Sequence, residues 1–397
     1  MLRVCLIGLG YVGLPLLLNF SKKHKVIGYD KNKKRISDLK KGKDIFNEFT
    51  KNELKKVKLK FTSDLKEIKN STIFIVTVPT PINKNKSPDL SHLKDVCLNL
   101  SGNLKKNDIL IFESTVYPGL TRNYCVPLLQ RKNALIEGKD FFVGYSPERI
   151  NPGDKKHQLK SINKILAYPY DFKKREILKL YSSVGKKIIS TKNIEEAETA
   201  KVIENIQRDV NIGLMNEIYL ACEKLNLNFD NIIKLARTKW NFLKFKPGLV
   251  GGHCLPVDPY YFASICKKNQ FNTKITLAGR DINDSMVDKI KKKIEIQISK
   301  IKSFKLKKIL ICGLTYKKNV ADLRNSLSLE IFKKLKSKYK NIKGFDPLVD
   351  SKIAKKNYFS NKIKSLYDYD ILIVLTKHDL ITKEINKVKG KKIISIF

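Results

Sequence analysis

Few chain geometries tolerate the segment Gly8-Leu9-Gly10-Tyr11-Val12-Gly13, which follows the apolar run Val4-Cys5-Leu6-Ile7 and leads into more apolar residues. The spacing predicts a strand, a tight turn and a helix. Gly8 permits the turn, Gly10 lets a ligand approach the backbone, and Gly13 lets the helix pack close to the strand. A helix N-terminus there offers free N–H groups and a positive dipole end to phosphates. Val26-Ile27-Gly28-Tyr29-Asp30 follows as a second strand ending in an acid, 22 residues after Gly8. A carboxylate at that point accepts hydrogen bonds from ribose hydroxyls and disfavours a 2′-phosphate. The unit therefore predicts a dinucleotide site that takes NAD, with Gly8, Gly10, Tyr11, Val12, Gly13 and Asp30 around it.

Apolar runs at 71–79, 108–115 and 139–148 predict further strands of the same sheet. Ligands of open parallel sheets bind at the carboxyl ends of strands, which places Thr80, Thr115 and Glu148 where chemistry would sit. Taken singly, each serves equally well as a loop or cap residue. From 191 to about 226, apolar and small residues recur at 3- and 4-residue steps, with Gly213 the one interruption. This predicts a long helix that joins two domains and carries a dimer interface. Lys201, Asn205, Arg208 and Asn211 form a polar stripe along it. In the last third, 307–316, 342–347 and 368–376 echo the strands of the first unit, but without the second and third glycines. A related αβ domain holding a different part of a nucleotide is expected there.

A chain of 397 residues suits two or three domains. No apolar run is long enough to span a membrane, and the N-terminus reads as a strand, not a cleavable leader; a cytoplasmic protein is expected. The formal charge of +42 invites a nucleic-acid reading. Lysine is spread over nearly every segment, however, with no basic tail, zinc-finger spacing or RNA-binding aromatic motif, so no specific nucleic-acid partner is expected. Attraction of anionic nucleotides is a side effect of such a charge. Seven cysteines at irregular spacing form no CxxC and no metal-like cluster. Free, mostly buried thiols and no metal are expected.

One cysteine stands apart. Residues 238–262, TKWNFLKFKPGLVGGHCLPVDPYYF, are dense in Gly and Pro and predict a shaped loop. Gly251-Gly252 allows close approach to Cys254, and Asp258 is poised to orient or deprotonate something near the sulfur. His253 is given no catalytic role, because adjacent side chains often point apart.

With GLGYVGLP, FIVTVPTP, ESTVYPG, GYSPERINPGD, AKVIENIQRDVNIGLMNE, PGLVGGHCLPVDPYY and LTYKKNVADLRNS in this order, essentially the whole chain resembles the UDP-glucose/GDP-mannose dehydrogenases. It is most similar to their UDP-N-acetylhexosamine 6-dehydrogenases, which make uronic acids for surface polysaccharides. The resemblance implies an α/β protein: two Rossmann-like doubly wound domains joined by a central helical dimerisation domain with a long connecting helix. The expected divisions are 1–190 for NAD, 191–295 for the helical domain with the cysteine loop, and 296–397 for UDP. It also implies two successive oxidations of a UDP-sugar C6 alcohol with NAD, through a thiohemiacetal and thioester on Cys254.

By the same resemblance Lys201 and Asn205 stabilise the oxyanion, Asp258 is tied to Lys201 and water activation, and Thr115 and Glu148 position water and act as acid or base. Arg35, Thr80, Thr115 and Arg324 join the cofactor site. Glu148, Arg149, Lys201, Asn205, Arg208, Lys246, Gly252, Arg280 and Lys317 contact substrate. Two departures stand out. Many acetamido-sugar relatives carry R-R-I-N where this chain has Arg280-Asp281-Ile282-Asn283. Close relatives often have Arg where Lys246 stands, and lysine lacks the bidentate fork. The rival readings are UDP-glucose, UDP-N-acetylmannosamine or GDP-mannose as substrate, a one-step dehydrogenase that needs no Cys254, and a non-catalytic nucleotide- or RNA-binding protein.

Overall fold

The computed structural model describes residues 2–45, 48–55, 59–150, 159–388 and 390–396. The chain forms two compact units, one from Met1–Glu204 with Tyr260–Phe271, the other from Asn205–Pro259 with Asn272–Phe397. Each contains a sheet.

The first sheet has eight strands: β1 (Arg3–Ile7), β2 (Lys25–Tyr29), β3 (Lys60–Thr62), β4 (Ile73–Val76), β5 (Ile109–Phe112), β6 (Phe142–Tyr145), β7 (Lys164–Ala167) and β8 (Ile188–Thr191). They lie in the order β3-β2-β1-β4-β5-β6-β7-β8, and only the β6–β7 pair is antiparallel. β1 pairs with β2 through Val4↔Val26 and with β4 through Val4↔Ile73, so the strand order reverses beside β1. Side chains alternate across a pleated strand. Val4 and Leu6 enter one buried cluster, with the helices Gly13–Phe20 and Lys174–Tyr181. Cys5 and Ile7 enter the other, with the helix Ser91–Ser101. Burial on both faces explains why these strands read as unbroken apolar runs. The β7–β8 extension has no such run: β8 is Ile-Ile-Ser-Thr with no fully buried residue, and nothing in its pattern announces it.

The second sheet, β9 (Ile309–Cys312), β10 (Ile342–Phe345), β11 (Ile371–Val374) and β12 (Lys392–Ser395), is wholly parallel in the order β10-β9-β11-β12. Ile309 and Ile311 face one cluster, Leu310 and Cys312 the other. The echo between the two ends of the sequence is thus a repeated topology. The helix expected over 191–226 runs from Ile194 to Lys224. Gly213 on it faces Gly279 of the helix Lys274–Ser299: a Cβ on Gly213 would lie 3.0 Å from the Gly279 carbonyl oxygen. The glycine that interrupts the helical pattern is there to let two backbones cross. Among the described residues no helix is long and apolar enough to cross a membrane.

Candidate active site

The glycine turn after β1 is held from several sides. Gly8 N donates to the Tyr29 carbonyl at 2.9 Å, and Thr77 Oγ1 donates to the Gly8 carbonyl at 2.6 Å. Gly8 has φ +93°, and a Cβ on Gly13 would fall 1.9 Å from the Gly8 carbonyl oxygen. A Cβ on Gly10 would meet nothing within 4 Å. Two glycines therefore serve the fold, and the third keeps a space open at the helix N-terminus, where a pyrophosphate fits. Tyr11 and Val12, between them, are half-buried. Asp30 ends β2: its Oδ2 accepts from Leu9 N at 2.9 Å and its Oδ1 from Asn32 N at 2.9 Å, and the residue remains partly exposed. Thr80 and Thr115, both half-buried, follow β4 and β5 on the same carboxyl edge.

Arg35 is corrected from a cofactor contact to a brace. It is only 4% exposed, with Nε on the Leu9 carbonyl at 2.9 Å and Nη1 on Asp44 at 2.8 Å. The guanidinium grips the turn from within.

Glu148 lies three residues past β6. Its Oε1 accepts from Arg149 N at 2.6 Å and Ile150 N at 2.5 Å, and its Oε2 lies 3.3 Å from Lys164 Nζ. The Asn-Pro-Gly-Asp tail of that motif, 151–154, lies outside the described residues. The Arg149 side chain pairs with Glu204, Nη2 to Oε1 at 2.6 Å. Glu198 is fully buried and accepts from Gly119 N at 2.6 Å and Thr121 N at 3.0 Å. Burial pushes its carboxyl up to about 7, against the pull of those bonds. Sequence reasoning missed this residue, which ties down the loop that follows Thr115. Lys201, one turn further along the same helix, is 8% exposed.

In the second unit, Asn205 Nδ2 donates to Asp258 Oδ2 at 2.5 Å. Asp258 is buried at the start of the helix Asp258–Lys268, and its N–H bonds the Cys254 carbonyl at 2.9 Å. Cys254 and Cys266 are only partly buried, whereas the other five cysteines are fully buried. The loop before the sulfur is pinned: Gly252 has φ +91°, and a Cβ there would lie 2.7 Å from the Tyr316 ring. Asn325 Nδ2 donates to the Gly252 carbonyl at 3.0 Å. The same wall turns His253 back, so that its Nδ1 lies 3.1 Å from Cys254 Sγ. The expectation that these neighbours diverge fails here, because the positive-φ glycine redirects the chain. The imidazole can therefore take the thiol hydrogen.

A cleft of about 900 Å³ opens in this unit beside the carboxyl ends of β11 and β12. Lys246 and Lys317 line it, as do Lys234, Arg237, Lys293, Lys318 and Lys377, with Phe229, Phe245 and Tyr316 as flat walls. Cations with aromatic faces suit a nucleoside diphosphate. Asp346, the counterpart of Asp30, is fully buried. It accepts from Leu314 N and Thr315 N at 2.7 and 3.0 Å and from His378 Nε2 at 3.1 Å. Both acids accept from backbone, but Asp30 keeps an exposed side that can hold a ribose, whereas Asp346 is sealed from solvent against His378. Arg208 and Arg324 are exposed, the latter forked on Asp322.

Arg280 does not contact substrate. It is 0% exposed, paired with Asp209 Oδ1 at 2.6 Å and with Asp284 on its own helix. A guanidinium enclosed by two carboxylates between helices holds the bundle together and has no face left for a diphosphate.

Two Rossmann-like units, one with an open glycine turn and an acid that disfavours NADP, the other with a basic cleft and a half-exposed cysteine, define an NAD-dependent dehydrogenase of nucleotide-linked substrates. The chain belongs to the UDP-glucose/GDP-mannose dehydrogenase family: its NAD binding domain matches residues 2–184, its central domain 195–285 and its UDP binding domain 310–395. It is 43% identical to the UDP-N-acetyl-D-glucosamine 6-dehydrogenase of Salmonella typhi, over 95% of this chain and 90% of that enzyme. It is 41% identical to the enzyme of the same name from Pseudomonas aeruginosa, with the same coverage. Its fold is similar to the solved UDP-D-ManNAc dehydrogenase of Pyrococcus horikoshii, with TM-score 0.84 and 29% identity over 100% of this chain and 99% of the other. The protein is an NAD-dependent UDP-sugar dehydrogenase.

Proposed function

We propose that the protein oxidises the C6 alcohol of a UDP-N-acetylhexosamine, UDP-N-acetylglucosamine first, to the uronic acid for surface polysaccharide. The observation that carries the sugar assignment is the identity of 43% to a UDP-N-acetyl-D-glucosamine 6-dehydrogenase across 95% of the chain. The shared fold with a UDP-D-ManNAc dehydrogenase supports UDP-N-acetylmannosamine as the second reading.

Bound NAD supplies the hydride acceptor for each oxidation, held by Gly8, Gly10, Tyr11, Val12, Gly13 and Asp30, with Thr80, Thr115 and Arg324. The basic cleft, with Lys246 and Lys317, takes the UDP moiety, and Arg149, Arg208 and Gly252 complete the substrate contacts. Transfer of a hydride from C6 to the bound NAD, with the hydroxyl proton lost to water, leaves an aldehyde. Cys254 Sγ adds to its carbon, giving a thiohemiacetal, while the thiol proton passes to His253 Nδ1, 3.1 Å away. Lys201 and Asn205 stabilise the oxyanion. Loss of a second hydride gives the thioester, and water displaces the thiol to leave a carboxylate. Asp258, held by Asn205 at 2.5 Å, with Thr115 and Glu148, orients and deprotonates that water.

Domains at 1–190, 191–295 and 296–397 carry these parts. Exposed Leu214, Leu235, Trp240 and Leu243, the tryptophan at 92% exposure, support a homodimer through the helical region, and the protein works in the cytoplasm. A panel of UDP-sugars assayed for NADH yield tests the substrate. Two NADH per UDP-N-acetylglucosamine or UDP-N-acetylgalactosamine is expected; turnover of UDP-glucose alone overturns the assignment. Full acid production by Cys254→Ala or Cys254→Ser overturns the thioester.

A further inference from the structure

Behind Glu148 the first unit buries an ion cluster that neither the fold nor the described chemistry requires. Lys164, the first residue of β7, is 0% exposed, and its Nζ lies 2.5 Å from Glu113 Oε2 and 3.3 Å from Glu148 Oε2. Glu113, one residue past β5, is equally buried, and Tyr181 packs against it, with Ser146 beside the phenol. Isolating charge in this way is costly, and a sheet edge is stabilised at least as well by apolar side chains. The geometry of Glu148 shows what the cluster does. One of its oxygens is fixed by two backbone N–H groups, and the other by the ammonium. Both oxygens of the carboxylate are thus anchored, one by backbone and one by a cation that it shares with a second acid.

We infer that Lys164 and Glu113 are positioning residues for the oxidation: Lys164 orients Glu148, and Glu113 holds the ammonium in the place from which it does so. This rests on Glu148 acting as acid or base in the proposed reaction. The supporting electrostatics agree. Burial pushes Glu113 up to about 7 despite Lys164, with Glu148 adding to the rise. Burial works to lower Lys164, but its two carboxylate partners outweigh that and raise it. The cluster therefore gains or loses a proton near neutrality. When Glu113 is neutral, the whole ammonium charge is available to Glu148; when it is ionised, the two carboxylates divide it.

Glu113→Gln leaves Lys164 to Glu148 alone. The kcat–pH profile, read as NADH release from UDP-N-acetylglucosamine, is expected to lose the step near pH 7 that Glu113 gives it. Glu113→Gln/Lys164→Met removes the cation without stranding a buried carboxylate at position 113, and kcat is expected to fall by about tenfold or more with KM for the UDP-sugar unchanged. Loss of packing alone does not separate kcat from KM in this way. Melting temperature and NAD affinity identify the folded variants. A step near pH 7 that persists in folded Glu113→Gln, or wild-type kcat in the folded double variant, overturns the inference. Glu148→Gln separates the two readings. If it keeps the wild-type rate, the role of Glu148 falls and the inference with it. If it loses the rate while the folded double variant keeps it, only the inference falls.

Discussion

Arg280→Met tests whether this arginine is a bundle strut or a substrate contact. The side chain is 0% exposed, as is its partner Asp209, 2.6 Å away. Methionine fills much of the same volume, so the cavity term is small, and the cost is electrostatic. Asp209 is left with Asn283 Nδ2 at 2.9 Å and no cation against its buried carboxylate. Breaking a buried pair from one side costs about 3–5 kcal/mol. Burial already pushes Asp209 up in the wild type, with Arg280 opposing, so in the variant the acid escapes part of the cost by taking a proton. Urea unfolding at pH 7.5 is expected to show a loss of that size, and Asp209→Asn/Arg280→Met to recover most of it. At a temperature where both variants are folded, KM for the UDP-sugar is expected to stay within about threefold, under 1 kcal/mol. Stability within about 0.5 kcal/mol of wild type together with a tenfold rise in KM would refute the argument from burial.

The glycine turn predicts an ordered pair of outcomes. Gly13→Ala puts a methyl 1.9 Å from the Gly8 carbonyl and is expected to abolish NAD binding by calorimetry and lower the melting temperature. Gly10→Ala meets no protein atom within 4 Å, so it should fold normally and weaken NAD alone; the reverse ranking would contradict the roles given to these glycines. Gly252→Ala drives a methyl into the Tyr316 ring at 2.7 Å, in a positive-φ conformation that also costs about 1 kcal/mol or more. A fall in kcat with NAD affinity unchanged is expected, and wild-type turnover would show that the loop geometry is dispensable. For Glu198, held up at about 7 against an ordinary 4.5, the folded chain binds more protons than the unfolded one between those values. Stability therefore falls as pH rises through that window, by up to about 3 kcal/mol. Glu198→Gln gives up one acceptor for about 1 kcal/mol but should flatten that part of the melting-temperature profile; an unchanged slope would remove Glu198 as its source.

What the sequence alone determined is local. The turn of Gly8, Gly10 and Gly13, the acid at Asp30, the strands and the long helix follow from spacings within one supersecondary unit, where backbone sterics and side-chain period leave few alternatives. The loop around Cys254 was legible for the same reason, since Gly, Pro and Asp at short range shape a chain whatever surrounds it. Charged side chains separated along the chain were misjudged. Arg35 and Arg280 suggested anion contacts, yet one braces a turn against Asp44 and the other meets Asp209, 71 positions away. The pairing of Lys164 with Glu113, 51 positions apart, and of His378 with Asp346, 32 apart, had no sequence signal at all. Whether a charge faces a ligand or a buried partner depends on the dielectric around it and on which strands and helices come to lie side by side. Both are properties of the packed chain, so only the tertiary structure decided them.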